Sequence, residues 1–315
     1  MRQQLAIATR KLTKQFERHV AVNELELEVK SGEVYGLIGP NGAGKTTLIR
    51  MLAAAEEPTA GEIYIHGDLL KRDNSNPRLK QNIGYLPDDF PLYDDLSVWD
   101  YLDYFARLYR LKSKHRRRRL YEILELVNLT TKRNSLISTL SRGMKQRLGL
   151  ARCIIYEPLL LLLDEPVSGL DPIARMEFRK IIKFLQESGM TILISSHVLS
   201  DLAELCTSVG IMELGYLVES TSLQELYDRL SNQQIIISSL GDRETLIKEL
   251  KNDSLVQEYE TLSDNSIRVN FSGNTADSAR LLRSLIETGI SVTEFHCTRE
   301  DLETIFLKLG HKQVS

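Results

Sequence analysis

Three stretches of this 315-residue chain carry groups suited to handling phosphate. In GPNGAGKTT (Gly39, Pro40, Asn41, Gly42, Ala43, Gly44, Lys45, Thr46, Thr47), a glycine is followed after four residues by Gly-Lys-Thr. Glycines let the backbone curl until its N–H groups point at an anion. Lys45 adds a point charge for the β- and γ-phosphates, and the Thr46 hydroxyl is a Mg2+ ligand. In LLLLLDE, an apolar run ends in Asp164 and Glu165. Charges at the end of a buried strand need partners. Asp164 is expected to hold the Mg2+ shell, usually through water, and Glu165 to take a proton from an attacking water. The third stretch, LSRGMKQRLGLAR, opens a basic helix with Ser141, Arg142, Gly143 and Met144. A helix start of this kind offers unpaired N–H groups and the positive end of the dipole, which makes it a second anion cradle. Downstream, ILISSH puts His197 at the tip of another expected strand, either as a satisfied structural histidine or as a donor to a γ-phosphate.

The elements that must position these groups follow from periodicity. Val34 to Ile38 reads as a buried strand feeding the first loop, and KTTLIRMLAAA as the helix leaving it. From about 95 to 150 the pattern is helical, with Trp99, Leu102, Phe105 and Ala106 on one face and Ile123, Leu124 and Val127 on another. Strands return at 159 and 191, with a helix over Arg175 to Gln186. A helical insert thus interrupts an α/β domain. After about 225 the order βαββαβ predicts a small ferredoxin-like unit. A closing helix is expected there, with Thr298 as its cap, Asp301 three residues on, and Leu302, Ile305, Phe306 and Leu309 on one face.

Composition narrows the class. Net charge is −3, from 40 basic and 43 acidic residues, so no bulk field attracts nucleic acid and anion binding must be local. The longest purely apolar run, Leu159 to Leu163, is far too short for a membrane span, and the N-terminus lacks a secretory pattern. Cys153, Cys206 and Cys297 fit neither a disulfide framework nor a metal site and suit a reducing cytosol. The run KSKHRRRR, Lys112 to Arg119, reads as a solvated helix face, because no aromatic residues interleave it to stack bases; nucleic acid or anionic lipid headgroups are its alternatives.

The ordered set of motifs resembles the nucleotide-binding subunit of an ATP-binding cassette (ABC) transporter over roughly residues 1 to 225. Phe16 matches the family's aromatic that stacks on adenine, and Gly39 to Thr46 its P-loop. Leu140 to Met144 match the signature, usually written LSGGQ. Asp164 and Glu165 match the second Walker motif, Asp171 ends a D-loop in SGLD, and His197 matches the switch histidine. The resemblance implies an α/β P-loop NTPase cassette over 1–225, with a RecA-like core, a β-subdomain and a helical subdomain at about 92–150. A small α+β ferredoxin-like domain follows over 226–315. It also implies ATP and Mg2+ as ligands, and two cassettes closing head to tail so that the Ser141–Gly143 helix start of one caps the γ-phosphate held by the other. The departures are Arg142 and Met144 in the signature, and Asp88 where the Q-loop normally has glutamine. A carboxylate there keeps an oxygen for Mg2+ but loses the amide donors.

The expected protein is therefore a cytoplasmic ATPase, peripheral on the inner face of the cell membrane. It pairs with a second ABC subunit and a separate permease, which Tyr93 to Leu111 would face. The mixed tail, ending in TREDLETIFLKL, is similar to those of drug, antibiotic and polysaccharide exporters, so export is expected and no nucleic acid partner is. The alternative is a soluble ABC ATPase acting on ribosomes or DNA. Such proteins usually carry two cassettes or a long coiled-coil insertion, and this chain has neither.

Overall fold

The computed structural model describes residues 4–71, 76–198, 202, 204–230, 233–240, 243–263 and 266–299. The chain divides into two compact units, residues 1–223 and 224–315.

The first unit begins with β1 (Leu5–Phe16), β2 (His19–Leu25), β3 (Glu28–Lys30) and β4 (Val34–Ile38), then α1 (Lys45–Leu52). Next come β5 (Ala60–Ile65), β6 (Asp68–Leu69), α2 (Pro77–Gln81) and β7 (Ile83–Leu86). The helical insert follows, with α3 (Val98–Leu108), α4 (Ser113–Leu126) and α5 (Arg142–Ile154). The unit resumes with β8 (Leu160–Leu163), α6 (Pro172–Glu187), β9 (Thr191–Ser196), β10 (Ser208–Glu213) and β11 (Tyr216–Ser222).

Two sheets result. An antiparallel layer runs β2-β1-β5-β6, with β3 also paired to β1. The second sheet runs β11-β10-β4-β9-β8-β7, parallel from β10 through β7 and closed by the antiparallel β11. Every residue of β4, β8 and β9 is buried, as expected of parallel strands covered on both faces. The four leucines of β8 are wholly buried, each worth about 1.5–3 kcal/mol of apolar transfer. Thr191, Ser195 and Ser196 are the hydroxyl-bearing exceptions in β9, and the two serines stand at its carboxyl end. In the insert, Leu102, Ala106, Ile123, Leu124 and Val127 are buried as the periodicity predicts. Trp99 is instead turned onto Tyr121 of α4, with ring centroids 5.0 Å apart.

Helix α7 (Leu223–Leu230) starts at the last residue of the first unit, and the second unit continues with β12 (Gln233–Leu240), α8 (Arg243–Asn252), β13 (Val256–Ser263), β14 (Ser266–Phe271), α9 (Thr275–Glu287) and β15 (Ser291–Arg299). Its antiparallel sheet has the order β13-β14-β12-β15, the arrangement of a ferredoxin-like βαββαβ unit. Alternation in β12 and β14 puts Ile235, Ile237, Ile267, Val269 and Phe271 against Leu246 and Leu250 of α8 and Leu281 and Leu285 of α9. A capping box between Asn274 and Asp277 starts α9. Thr298, expected as a helix cap, is a strand residue of β15 in register with Gln234. The rest of the expected closing helix lies outside the described residues.

Candidate functional site

In open α/β sheets, ligands bind outside the carboxyl ends of the parallel strands. Here the segments following β4, β7, β8 and β9 converge on one cavity of about 450 Å3. Asn41 to Thr47 line it after β4, Asp88 after β7, Glu165 and Ser168 after β8, and His197 after β9. The antiparallel layer contributes Phe16 from the end of β1 and His19 and Ala21 from β2. Phe16 is half exposed, with the Lys14 ammonium 4.7 Å from its ring centre.

The loop after β4 is held by conformation. Gly44 caps α1 with φ +100°, and a Cβ there would stand 2.1 Å from the Ala21 carbonyl oxygen, so only glycine fits. Gly39 and Pro40 do not line the cavity. Their carbonyls accept hydrogen bonds from Lys45 Nζ at 2.7 and 3.1 Å, which fixes the buried lysine. Lys45 Nζ also lies 3.6 Å from Glu165 Oε1.

The two carboxylates differ in setting. Asp164 is buried and accepts a hydrogen bond from Ser195 Oγ at 2.7 Å. Burial pushes its carboxyl pKa above the ordinary value, opposed first by that hydrogen bond and then by Thr46. Thr46 is thus close to the carboxyl, yet no well-formed hydrogen bond reaches Oδ2. A buried anionic oxygen without a donor beside a threonine hydroxyl suits a divalent cation. Among the described residues no cluster of three His, Cys, Asp or Glu could cage a metal.

Glu165 has φ +48°, in the left-handed region. Its N–H donates to Ser195 Oγ at 3.0 Å, so one serine on β9 ties together the ends of β8 and β9. Glu165 Oε2 lies 2.8 Å from His197 Nδ1. An ionised carboxylate only accepts, so Nδ1 carries the proton of this pair. A neutral ring then has no proton on Nε2, and donation to a phosphate oxygen requires the imidazolium.

Asp88 is drawn upward in pKa by partial burial and next by the Glu165 carboxylate, with Arg142 opposing. The signature residues Ser141 to Met144 do not line the cavity. Ser141 Oγ accepts from the Met144 N–H at 3.3 Å, capping α5. Gly143 is buried, and a Cβ there would come within 2.6 Å of Ala174 Cβ on α6, so a second glycine is required by helix packing. Arg142 donates to the Ser168 carbonyl at 3.0 Å. Asp171 caps α6 by accepting from the Ala174 N–H at 2.9 Å, with Pro172 opening the helix. Sequence reasoning missed His19, Ala21 and Ser195, and reached Ser168 only as the first residue of SGLD. Of the three missed, only Ser195 left a signal, as a hydroxyl directly after the apolar run Ile192–Ile194 and two residues before His197.

Comparison with known proteins meets this geometry. Residues 22–168 match the family described as ABC transporter. The bacitracin transport ATP-binding protein BcrA of Bacillus licheniformis is 35% identical over 304 residues, 96% of each chain. The linearmycin resistance ATP-binding protein LnrL of Bacillus subtilis is 29% identical over 303 residues, 95% of this chain and 96% of that one. A solved ATP-binding subunit of an ABC transporter superposes with a TM-score of 0.63 at 28% identity, over 71% of this chain and 92% of the other. The chain belongs to the ATP-binding proteins of ABC transporters. It is an ATP-binding and ATP-hydrolysing subunit of such a transporter. Among the described residues no helix is long and apolar enough to cross a membrane.

Proposed function

We propose that this subunit drives export by closing head to tail on a second cassette, beneath a separate membrane permease at the inner face of the cell membrane. One observation carries the pairing. The signature helix start lies outside the cavity that holds its own chain's phosphate loop, so its anion-binding end is free to serve a partner's phosphates. The kinship with bacitracin transport and linearmycin resistance proteins over nearly the whole chain supports export of a small compound.

Within the cavity, Phe16 stacks on the adenine ring. The backbone N–H groups of residues 41–47 and the Lys45 ammonium hold the phosphates. Thr46 and Asp164 would hold Mg2+, which when bound offsets charge on the β- and γ-phosphates. Glu165 accepts a proton from the attacking water, with its carboxylate aimed by His197 and Lys45. Asp88, next to these groups, tunes coupling to the permease rather than chemistry.

The pairing is tested by mixing two inactive variants, Ser141→Arg and Lys45→Ala. If the signature acts in trans, the mixed dimer keeps one intact composite site and regains ATPase activity. A cysteine pair placed at residues 141 and 42 should then crosslink between chains when ATP is present. Absence of both rescue and crosslink would overturn the head-to-tail arrangement.

A further inference from the structure

We propose that the helical insert holds a second anion site, a cleft of arginines that takes the phosphate group of a phosphate ester. The site is separate from the nucleotide cavity and does not rest on the reading of that cavity.

The basic run Lys112–Arg119 does not form one solvated face. Arg118 turns outward and pairs with Glu122 at 2.7 Å. Arg119 binds the last carbonyls of the α5 segment, Ile154 O at 2.9 Å and Ile155 O at 3.2 Å, and lies 3.3 Å from Glu157. Arg116 and Arg117 instead line a cleft of about 450 Å3, where Arg107 of α3 and Arg133 meet them. Four guanidiniums thus share one cavity with a single carboxylate, Asp103.

Asp103 orients more than it neutralises. It accepts from Arg107 Nε and from Arg116 Nε, both at 2.7 Å, and so fixes two of the four forks. Arg133 is placed by its carbonyl, which accepts from the Trp99 N–H at 2.9 Å, while its guanidinium lies 5.8 Å from the Tyr121 ring centre. Among the described residues, no carboxylate comes within ion-pair distance of Arg117 or Arg133. In a chain of net charge −3 this is a concentrated local excess of positive charge. Held cations of like sign repel one another until an anion enters.

The chemistry of the walls selects the ligand. Several guanidinium forks converging on one cavity suit an anion with three or more oxygens to share, a phosphate rather than a lone carboxylate. The Trp99–Tyr121 ring pair, tilted by 54° between planes, supplies an apolar wall for the carbon portion. An anionic phospholipid headgroup and a soluble phosphorylated metabolite share this chemistry.

The test uses the chain's only tryptophan, Trp99, whose emission reports on the cleft directly. The full chain is titrated with glycerol 3-phosphate, and separately with phosphatidylcholine vesicles containing or lacking phosphatidylglycerol. A saturable change in Trp99 emission is expected with at least one phosphate probe. It should weaken at least tenfold in the Arg117→Gln/Arg133→Gln variant, with the exposed single change Arg117→Gln as a second variant that spares the fold. Arg118→Gln, on the same helix but paired outside the cleft, should shift it less than twofold, and the response should persist in Lys45→Ala. Response to glycerol 3-phosphate identifies a soluble ester; response only to phosphatidylglycerol vesicles identifies a lipid headgroup, and either upholds the site. No response to any probe overturns it. So does equal weakening by Arg118→Gln, which would report unspecific charge attraction, or loss of the response in Lys45→Ala, which would report the nucleotide loop.

Discussion

The nucleotide cavity and the arginine cleft have the same volume, about 450 Å3, and each has cationic side chains in its wall, Lys45 in one and four arginines in the other. They are made of different materials. The first is a run of consecutive residues, 41–47, whose backbone is fixed by glycine conformations and by strand ends. The second is assembled from long side chains on α3, α4 and the turn at Arg133. Backbone donors arrive already ordered, whereas each arginine carries about 2 kcal/mol of rotamer entropy that must be restrained. Asp103 and Tyr121 restrain three of the four arginines, and Arg117 is left to the ligand. A backbone cradle is therefore expected to bind tightly, and a side-chain cleft to bind weakly and exchange quickly.

The contrast can be broken most strongly at Glu165. Glu165→Gln should slow ATP hydrolysis by about two to four orders of magnitude, the usual worth of a general base. ATP binding should stay within about threefold in equilibrium titration, and the Trp99 response should be unchanged. Parental turnover in the variant would remove Glu165 from the chemistry. Next in size, Lys45→Ala removes a charge-assisted contact worth about 1.5–3 kcal/mol. ATP affinity should drop about tenfold to a hundredfold by calorimetry.

A smaller effect is expected from Ser195→Ala. It strips the donor from Asp164 and the acceptor from the Glu165 N–H, and leaving a buried group unpaired costs about 1–3 kcal/mol. Urea unfolding should show that loss, and hydrolysis should fall about tenfold because the ends of β8 and β9 are no longer tied. The smallest change is one of stability and has the opposite sign. Asp164 has a raised pKa in the folded chain, so its ionised form disfavours folding, and that burden grows as pH rises through the folded pKa. Asp164→Asn should melt higher than the parent in the absence of nucleotide, with a larger gap at pH 8 than at a pH below the ordinary aspartate range. Hydrolysis should be lost all the same. A lower melting point at pH 8 would show that the Ser195 hydrogen bond outweighs burial.

Legibility in the sequence followed the same division. Gly39 to Thr47, Asp164, Glu165 and His197 sit on short local patterns that fold reads out almost unchanged. Strands β4, β8 and β9 were visible because parallel strands buried on both faces are uninterrupted apolar runs. Ala21 and His19 were not visible, because each reaches the cavity only through the packing of separate elements. The arginine cleft was hidden for a related reason. Lys112–Arg119 reads as one basic face, and nothing local tells that Arg118 and Arg119 turn away while Trp99, from the preceding helix, closes over Tyr121. Thr298 has the composition of a helix cap, but cross-strand pairing with Gln234 overrides local preference.

The left-handed backbone of Glu165 sets durability against turnover at a single codon. Holding a non-glycine residue at φ +48° costs about 1–2 kcal/mol, which glycine would not incur. Glycine at position 165 would relieve that strain but would strip the carboxylate from Lys45 and His197, so a screen for heat resistance alone weighs the backbone against those contacts and not against catalysis. Stabilised versions of this subunit will have to be selected with ATP turnover as a second criterion, and gains will come from positions away from the carboxyl edge of the sheet.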